Sequence, residues 1–171
     1  MAMTFSKRLQ RQWRHWMASA AKGRRLFPVE ALARLGQAIT AGEQRHRGEV
    51  RLIVENSMPS DLIWDDVSNR QRALGLFAEY AVWDTADRCG VLIYVNLAEH
   101  KVDIVVDRNV GQKIDPDTWA RICRTMTDGF KRGQFEQSTL AAIEQVNALL
   151  ATHFPGTGAR ANELPDQPVV L

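Results

Sequence analysis

Residues 89–107, CGVLIYVNLAEHKVDIVVD, decide the fold. Val91 to Val95 form a short unbroken apolar run, rich in β-branched and aromatic side chains, which predicts a strand buried on both faces. Asn96 to Lys101 then make a polar link whose Glu99, His100 and Lys101 are expected to stay in water. After it, Val102, Ile104 and Val106 alternate with Asp103 and Asp107, the period of a strand with one wet face. So short a link predicts an antiparallel hairpin.

Upstream, Glu49–Glu55 (EVRLIVE), entered from Gly48, alternates or runs apolar and reads as a further strand. A helix over Arg70–Trp83 separates it from the hairpin, with Ala73, Leu76, Phe77 and Tyr80 inward. A strand–helix–strand unit of this kind is parallel and right-handed. Pro28 opens an earlier helix that buries Val29, Leu32, Leu35 and Ile39. Residues 57–68 read as a loop, and Arg108–Gly111 as a turn. Asp115-Pro116-Asp117 is helix-start chemistry: an N-cap, then proline at the first helical position. The helix it opens ends at Gly133, and a last one covers Phe135–His153. The expected fold is α/β, a three-layer αβα sandwich on a small mixed sheet with an added N-terminal amphipathic helix. Residues 1–25 form a basic arm, 28–156 the domain, and 157–171 an extended C-terminal tail.

The 171 residues suffice for one sizeable core, and 45% hydrophobic with 25% charged residues is ordinary globular composition. The net charge of +2 hides an asymmetry. No acid precedes Glu30, whereas Lys7, Arg8, Arg11, Arg14, Lys22, Arg24 and Arg25 all do. Fifteen basic residues then remain against twenty acidic ones, so an acidic body wears a basic arm. Along the arm, Phe5, Leu9, Trp13, Trp16 and Ala20 recur at helical spacing, predicting a helix of roughly four turns ended by Gly23. Two readings compete. Trp13, Trp16, Arg8, Arg11 and Arg14 could adhere to an anionic membrane, or the apolar stripe could pack on the domain with its charges solvated.

Cys89 and Cys123 are lone, with apolar flanks, and read as reduced, buried thiols. No segment reaches the ~18 apolar residues of a membrane span, nor is there a secretory h-region, so the expected location is the cytoplasm, at most peripheral to a membrane. The four histidines lack zinc spacing, and His46, between two arginines, is expected in water. Phosphate-binding glycine loops and nucleophile elbows are absent from the sequence. Trp64, Trp83 and Trp119 read as core, which argues against nucleic acid.

Chemistry concentrates in carboxylates. With the strands paired as above, Asp84, Asp87 and Asp107 fall at one edge of the sheet, three hard oxygen donors suited to Ca²⁺ or Mg²⁺. Arg108 stands beside them as an anion contact, so metal-assisted phosphate-ester hydrolysis is the alternative use of the same site. Asp115-Pro116-Asp117-Thr118 has the spacing of an aspartyl-phosphate motif, but a turn precedes it where that chemistry needs a buried strand, so capping is the reading.

The combination of Glu49–Glu55, Leu76-Phe77, Trp83-Asp84-Thr85, Gly90–Val95, Val106-Asp107-Arg108, Trp119, Phe130–Phe135, His153-Phe154-Pro155 and Asn162–Asp166 resembles the TPM domain. That family is named for thylakoid-lumen, photosystem II repair and receptor-accessory proteins. The resemblance spans about residues 30–166 and implies an αβα sandwich. It further implies links to divalent-cation (calcium) binding, weak acid phosphatase activity and the upkeep of membrane complexes, without one settled activity. Cys89 stands where many members carry Asn, and the chain has neither their membrane anchor nor their Gly-rich tail, so it resembles the short bacterial form. No organic cofactor is implied. The expected partner is a protein or an anionic membrane surface.

Overall fold

The computed structural model describes residues 5–18, 20–156 and 162–171. Along the chain lie α1 (Phe5–Met17), α2 (Ala20–Leu26), α3 (Val29–Glu43), β1 (Glu49–Glu55), α4 (Ser60–Trp64), α5 (Asn69–Glu79), β2 (Gly90–Asn96), β3 (Lys101–Val106), α6 (Arg108–Lys113), α7 (Pro116–Lys131), α8 (Phe135–His153) and β4 (Val169–Val170). The four-stranded sheet has the order β3-β2-β1-β4. β1 pairs parallel with β2, Glu49 opposite Gly90 and Glu55 opposite Asn96. β2 and β3 form the expected antiparallel hairpin, Val91 opposite Val106.

Both faces of the sheet are covered, which is why β2 needs apolar side chains in both directions. Val50, Leu52, Val54, Val91, Ile93 and Val95 enter the larger core with Leu35 and Ile39 of α3, Ile122 and Met126 of α7, and Ile143 and Val146 of α8. Opposite, Ile53, Leu92, Tyr94 and Val105 meet Ala73 and Leu76 of α5. The molecule is a three-layer αβα sandwich. Gly90 has a steric reason: a Cβ there would lie 1.8 Å from the Val82 carbonyl oxygen.

Several local expectations are overturned. The arm breaks into α1 and α2, and Gly23 lies inside α2 against Asn56 instead of ending a helix. Val29 is exposed, because α3 buries Ala31, Leu35 and Ile39. Residues 57–68 contain α4, and Arg108–Lys113 form α6, whose N-cap is Asp107. His46 is buried, not solvated; its ring nitrogens contact the Gly48 carbonyl at 3.1 Å and Asn147 Oδ1 at 3.2 Å, and burial lowers its pKa. Trp119 is core, whereas Trp64 and Trp83 are exposed. Asp115 does cap α7, its Oδ1 accepting the Asp117 N–H at 2.8 Å.

The described part of the C-terminal tail joins the sheet. Val169 and Val170 pair parallel with Ile53 and Val54 of β1, and Leu164 is buried. The Arg51 guanidinium holds this strap by the Pro165 and Gln167 carbonyls, and Glu49 Oε2 accepts the Leu164 N–H at 3.1 Å. Thr40 bonds Asp166, while Glu43 Oε1 accepts the Val50 N–H at 2.7 Å. Burial, reinforced by the nearby charges of Glu49 and Asp166, lifts the Glu43 carboxyl to about 9, against its ordinary 4.5. Between those values the folded chain keeps a proton that the unfolded chain releases, so this group's stabilisation fades as pH rises across that window. Urea midpoints are expected to fall from about pH 5 to about pH 9, with a shallower fall in Glu43→Gln, whose amide oxygen still accepts from Val50.

Candidate functional site

The strand–turn geometry at the edge of the sheet builds a cleft. α5 ends at Glu79, and a turn with Ala81 at φ 49° carries the chain through Trp83-Asp84-Thr85 towards β2. Beyond β3, Asp107 caps α6, its Oδ1 accepting the Arg108 N–H at 2.6 Å. Trp83, Asp84, Thr85, Arg88, Asp107 and Arg108 together line a cleft of about 370 Å³. Thr85 is buried, its hydroxyl oxygen accepting the Cys89 N–H at 3.1 Å, which ties this loop to the start of β2.

Two of the three predicted carboxylates therefore share one cleft, and Arg108 shares it with them. Asp87 does not line it. That residue pairs with Arg47 at 3.7 Å, and its carbonyl accepts from Asn109 Nδ2 at 2.7 Å. It lines a neighbouring cleft of about 210 Å³ with Arg47, Cys89, Asn109 and Lys113. The hairpin brought the strand ends to one edge, but one turn between Thr85 and Arg88 aimed Asp84 and Asp87 into different depressions.

Asp107 carries the most informative atom. Its Oδ2 is buried and meets no hydrogen-bond partner within the protein. Among the described residues no group of three or more His, Cys, Asp and Glu side chains could hold a metal. What the cleft offers is two carboxylates, Asp84 and Asp107, as hard oxygen donors.

Arg88 was missed by sequence reasoning. Its φ of 50° lies in the left-handed region, which costs an arginine about 1–2 kcal/mol, and its side chain faces the same cleft. Two guanidinium groups thereby stand among two carboxylates. The adjacent Cys89 is buried with its thiol pushed up to about 11 by burial and then by Asp87, so it is no nucleophile.

A second group of buried charges was also unforeseen. Glu99, expected in water, has a side chain only 2% exposed. Arg11 Nε donates to its Oε1 at 2.5 Å, His15 Nε2 meets the same oxygen at 3.0 Å, and Lys101 Nζ donates to Oε2 at 2.5 Å. Burial alone would raise the Glu99 pKa, but hydrogen bonds from His15, Lys101 and Arg11 hold it far below the usual carboxylate range. The Met58 N–H donates to His15 Nδ1 at 3.1 Å, which leaves Nε2 as the protonated nitrogen facing Glu99. Arg11 also donates to the Val67 carbonyl at 2.8 Å. α1 is thus pinned to the body by its polar face.

That pinning overturns the packed-stripe reading of the arm. Trp13 and Trp16 are 61% and 70% exposed, and Phe5 and Leu9 are exposed beside them. Arg8 is partly committed, donating to the Trp64 carbonyl at 3.0 Å, and Arg14 is exposed. No helix among the described residues is long and apolar enough to cross a membrane.

In fold, the chain is similar to the BA42 protein from the psychrophilic bacterium Bizionia argentinensis, whose structure was solved by NMR. The TM-score is 0.74 at 25% sequence identity, covering 85% of this chain and 95% of that one. No curated protein matches this chain. The TPM domain matches residues 24–149, which include β1, β2, β3 and both carboxylates of the cleft. By that match the chain belongs to the TPM domain family.

Proposed function

We propose that this TPM domain is a non-enzymatic accessory module of the short bacterial form, binding a divalent cation, Ca²⁺ or Mg²⁺, between Asp84 and Asp107. The observation that carries the reading is the buried, partnerless Oδ2 of Asp107 beside the Asp84 cleft. With only two carboxylates and two nearby arginines, affinity falls in the weak range, about 10⁻⁴–10⁻³ M for Ca²⁺. Two free cysteines, both kept protonated by burial, suit a reducing cytoplasm.

Calorimetric titration with CaCl₂ and MgCl₂ tests this. Wild type should bind one ion, Asp107→Asn should abolish the heat, and Arg88→Asn should tighten binding several-fold by removing a competing cation. No heat in wild type would remove the proposal.

The paired arginines favour one second reading. Arg88 and Arg108 offer donors for phosphate oxygens where the carboxylates offer a cation site, the pieces of a weak metal-assisted acid phosphatase. In that reaction water adds to phosphorus as the ester oxygen leaves. Turnover of p-nitrophenyl phosphate that EDTA stops and Asp84→Asn abolishes would favour the enzyme; none in either protein leaves the accessory role.

A further inference from the structure

The arm carries its hydrophobic surface the wrong way round for a docked terminal helix. A helix that packs on a domain ordinarily turns its apolar stripe inward. In α1 the inward side chains are Arg11 and His15, gripped by Glu99, while Phe5, Leu9, Trp13, Trp16 and Met17 face out. The Trp13 and Trp16 rings lie 5.0 Å apart, and Phe5 reaches the exposed Trp64 ring at 6.3 Å, so the ridge continues onto α4. Leaving such aromatic surface in water has no return among the described residues. Nor does the family domain account for it, because α1 lies before residue 24, where the family match begins.

Charge selects the occupant. Lys7, Arg14 and Lys101 line a cleft of about 510 Å³ on one flank of the helix, together with Glu99 and Asp66. Arg14, Met17 and Lys22 line another of about 150 Å³. No acid occurs before Glu30, so the arm is cationic although the body is acidic. We propose that α1 seats the protein on an anionic lipid surface, its Trp ridge entering the headgroup–acyl boundary and its flanking lysines and arginines meeting lipid phosphates. A second copy of the chain would bring like charges together on that face, and protein interfaces deplete the lysines that flank this one. Interfacial helices show this pattern: aromatic side chains on one face, with Lys and Arg beside them. The Glu99 grip adds a mechanical element. It holds the helix rigidly, so docking orders no floppy segment, which limits the entropic cost of binding.

Flotation of the full chain with phosphatidylcholine vesicles, with and without phosphatidylglycerol, tests the proposal. Wild type should float only with the anionic vesicles, and added salt should weaken that binding. Trp13→Ala/Trp16→Ala should bind at least about tenfold more weakly with an unchanged melting temperature, since both rings face outward. Lys7→Glu/Arg14→Glu, a second outward pair, should lose binding to a similar degree. Failure of wild type to float with anionic vesicles overturns the proposal, as does equal binding by either double variant. A dimer dissolved by Trp13→Ala/Trp16→Ala, without vesicle binding, would assign the ridge to a second copy instead.

Discussion

Glu55→Ala is expected to destabilise the fold by about 3–5 kcal/mol, the largest single effect of any polar substitution proposed for this chain. Glu55 closes β1 with a side chain 2% exposed, paired there with Arg72. Arg72 from α5 grips it through Nη2 at 2.7 Å and Nε at 3.1 Å, and the Tyr94 hydroxyl donates to its other oxygen at 2.5 Å. Burial, and then the Glu55 charge, pushes the Tyr94 pKa far upward, so the phenol stays a donor. Alanine would leave the fully buried Tyr94 hydroxyl without its acceptor and the largely buried Arg72 guanidinium with only the exposed Glu79, 3.8 Å away. Urea unfolding checks it. Glu55→Leu combined with Arg72→Met should recover part of the loss, because the cost lies in the unpaired charge more than in the absent pair.

Removing Glu99 is expected to act locally. The Glu99→Ala variant should free α1 from the body, because Arg11 and His15 both bond the same carboxylate oxygen. Amide exchange protection in α1 should drop on the order of a hundredfold, while β2 keeps its own, and proteolysis should cut near residue 18. Unchanged protection in α1 would mean that the contacts of Arg8 and Gln12 to Trp64 and Ser60 hold the helix by themselves.

The layered fold was legible because its signals are periodic. The apolar run of Val91–Val95, the alternation after Lys101 and the Asp115-Pro116 cap each name a local structure with little competition. What was illegible depended on partners distant in sequence. Glu49, Arg51 and Glu55 alternate along β1 and were open to the reading of a wet face, but the C-terminal strap, Arg72 and Tyr94 bury them. His46 looked solvated between arginines until Asn147, a hundred and one residues on, supplied its partner. The orientation of α1 could not be read from its wheel, since a narrow apolar stripe says nothing about which side meets the body when a buried Glu waits for an Arg. For the candidate site, the strand pairing put Asp84 and Asp107 at one edge of the sheet, where they line one cleft, but which way Asp87 faces was decided by a four-residue turn. Arg88 escaped notice because a left-handed arginine leaves no mark in the sequence.

The cation cleft is tested most directly by following backbone amide resonances of the full chain as CaCl₂ is added. Shifts should saturate and centre on Asp84–Arg88 and Asp107–Asn109, and Asp107→Asn should abolish them. Shifts confined to other acidic surfaces, or none at millimolar calcium, would contradict a site between Asp84 and Asp107.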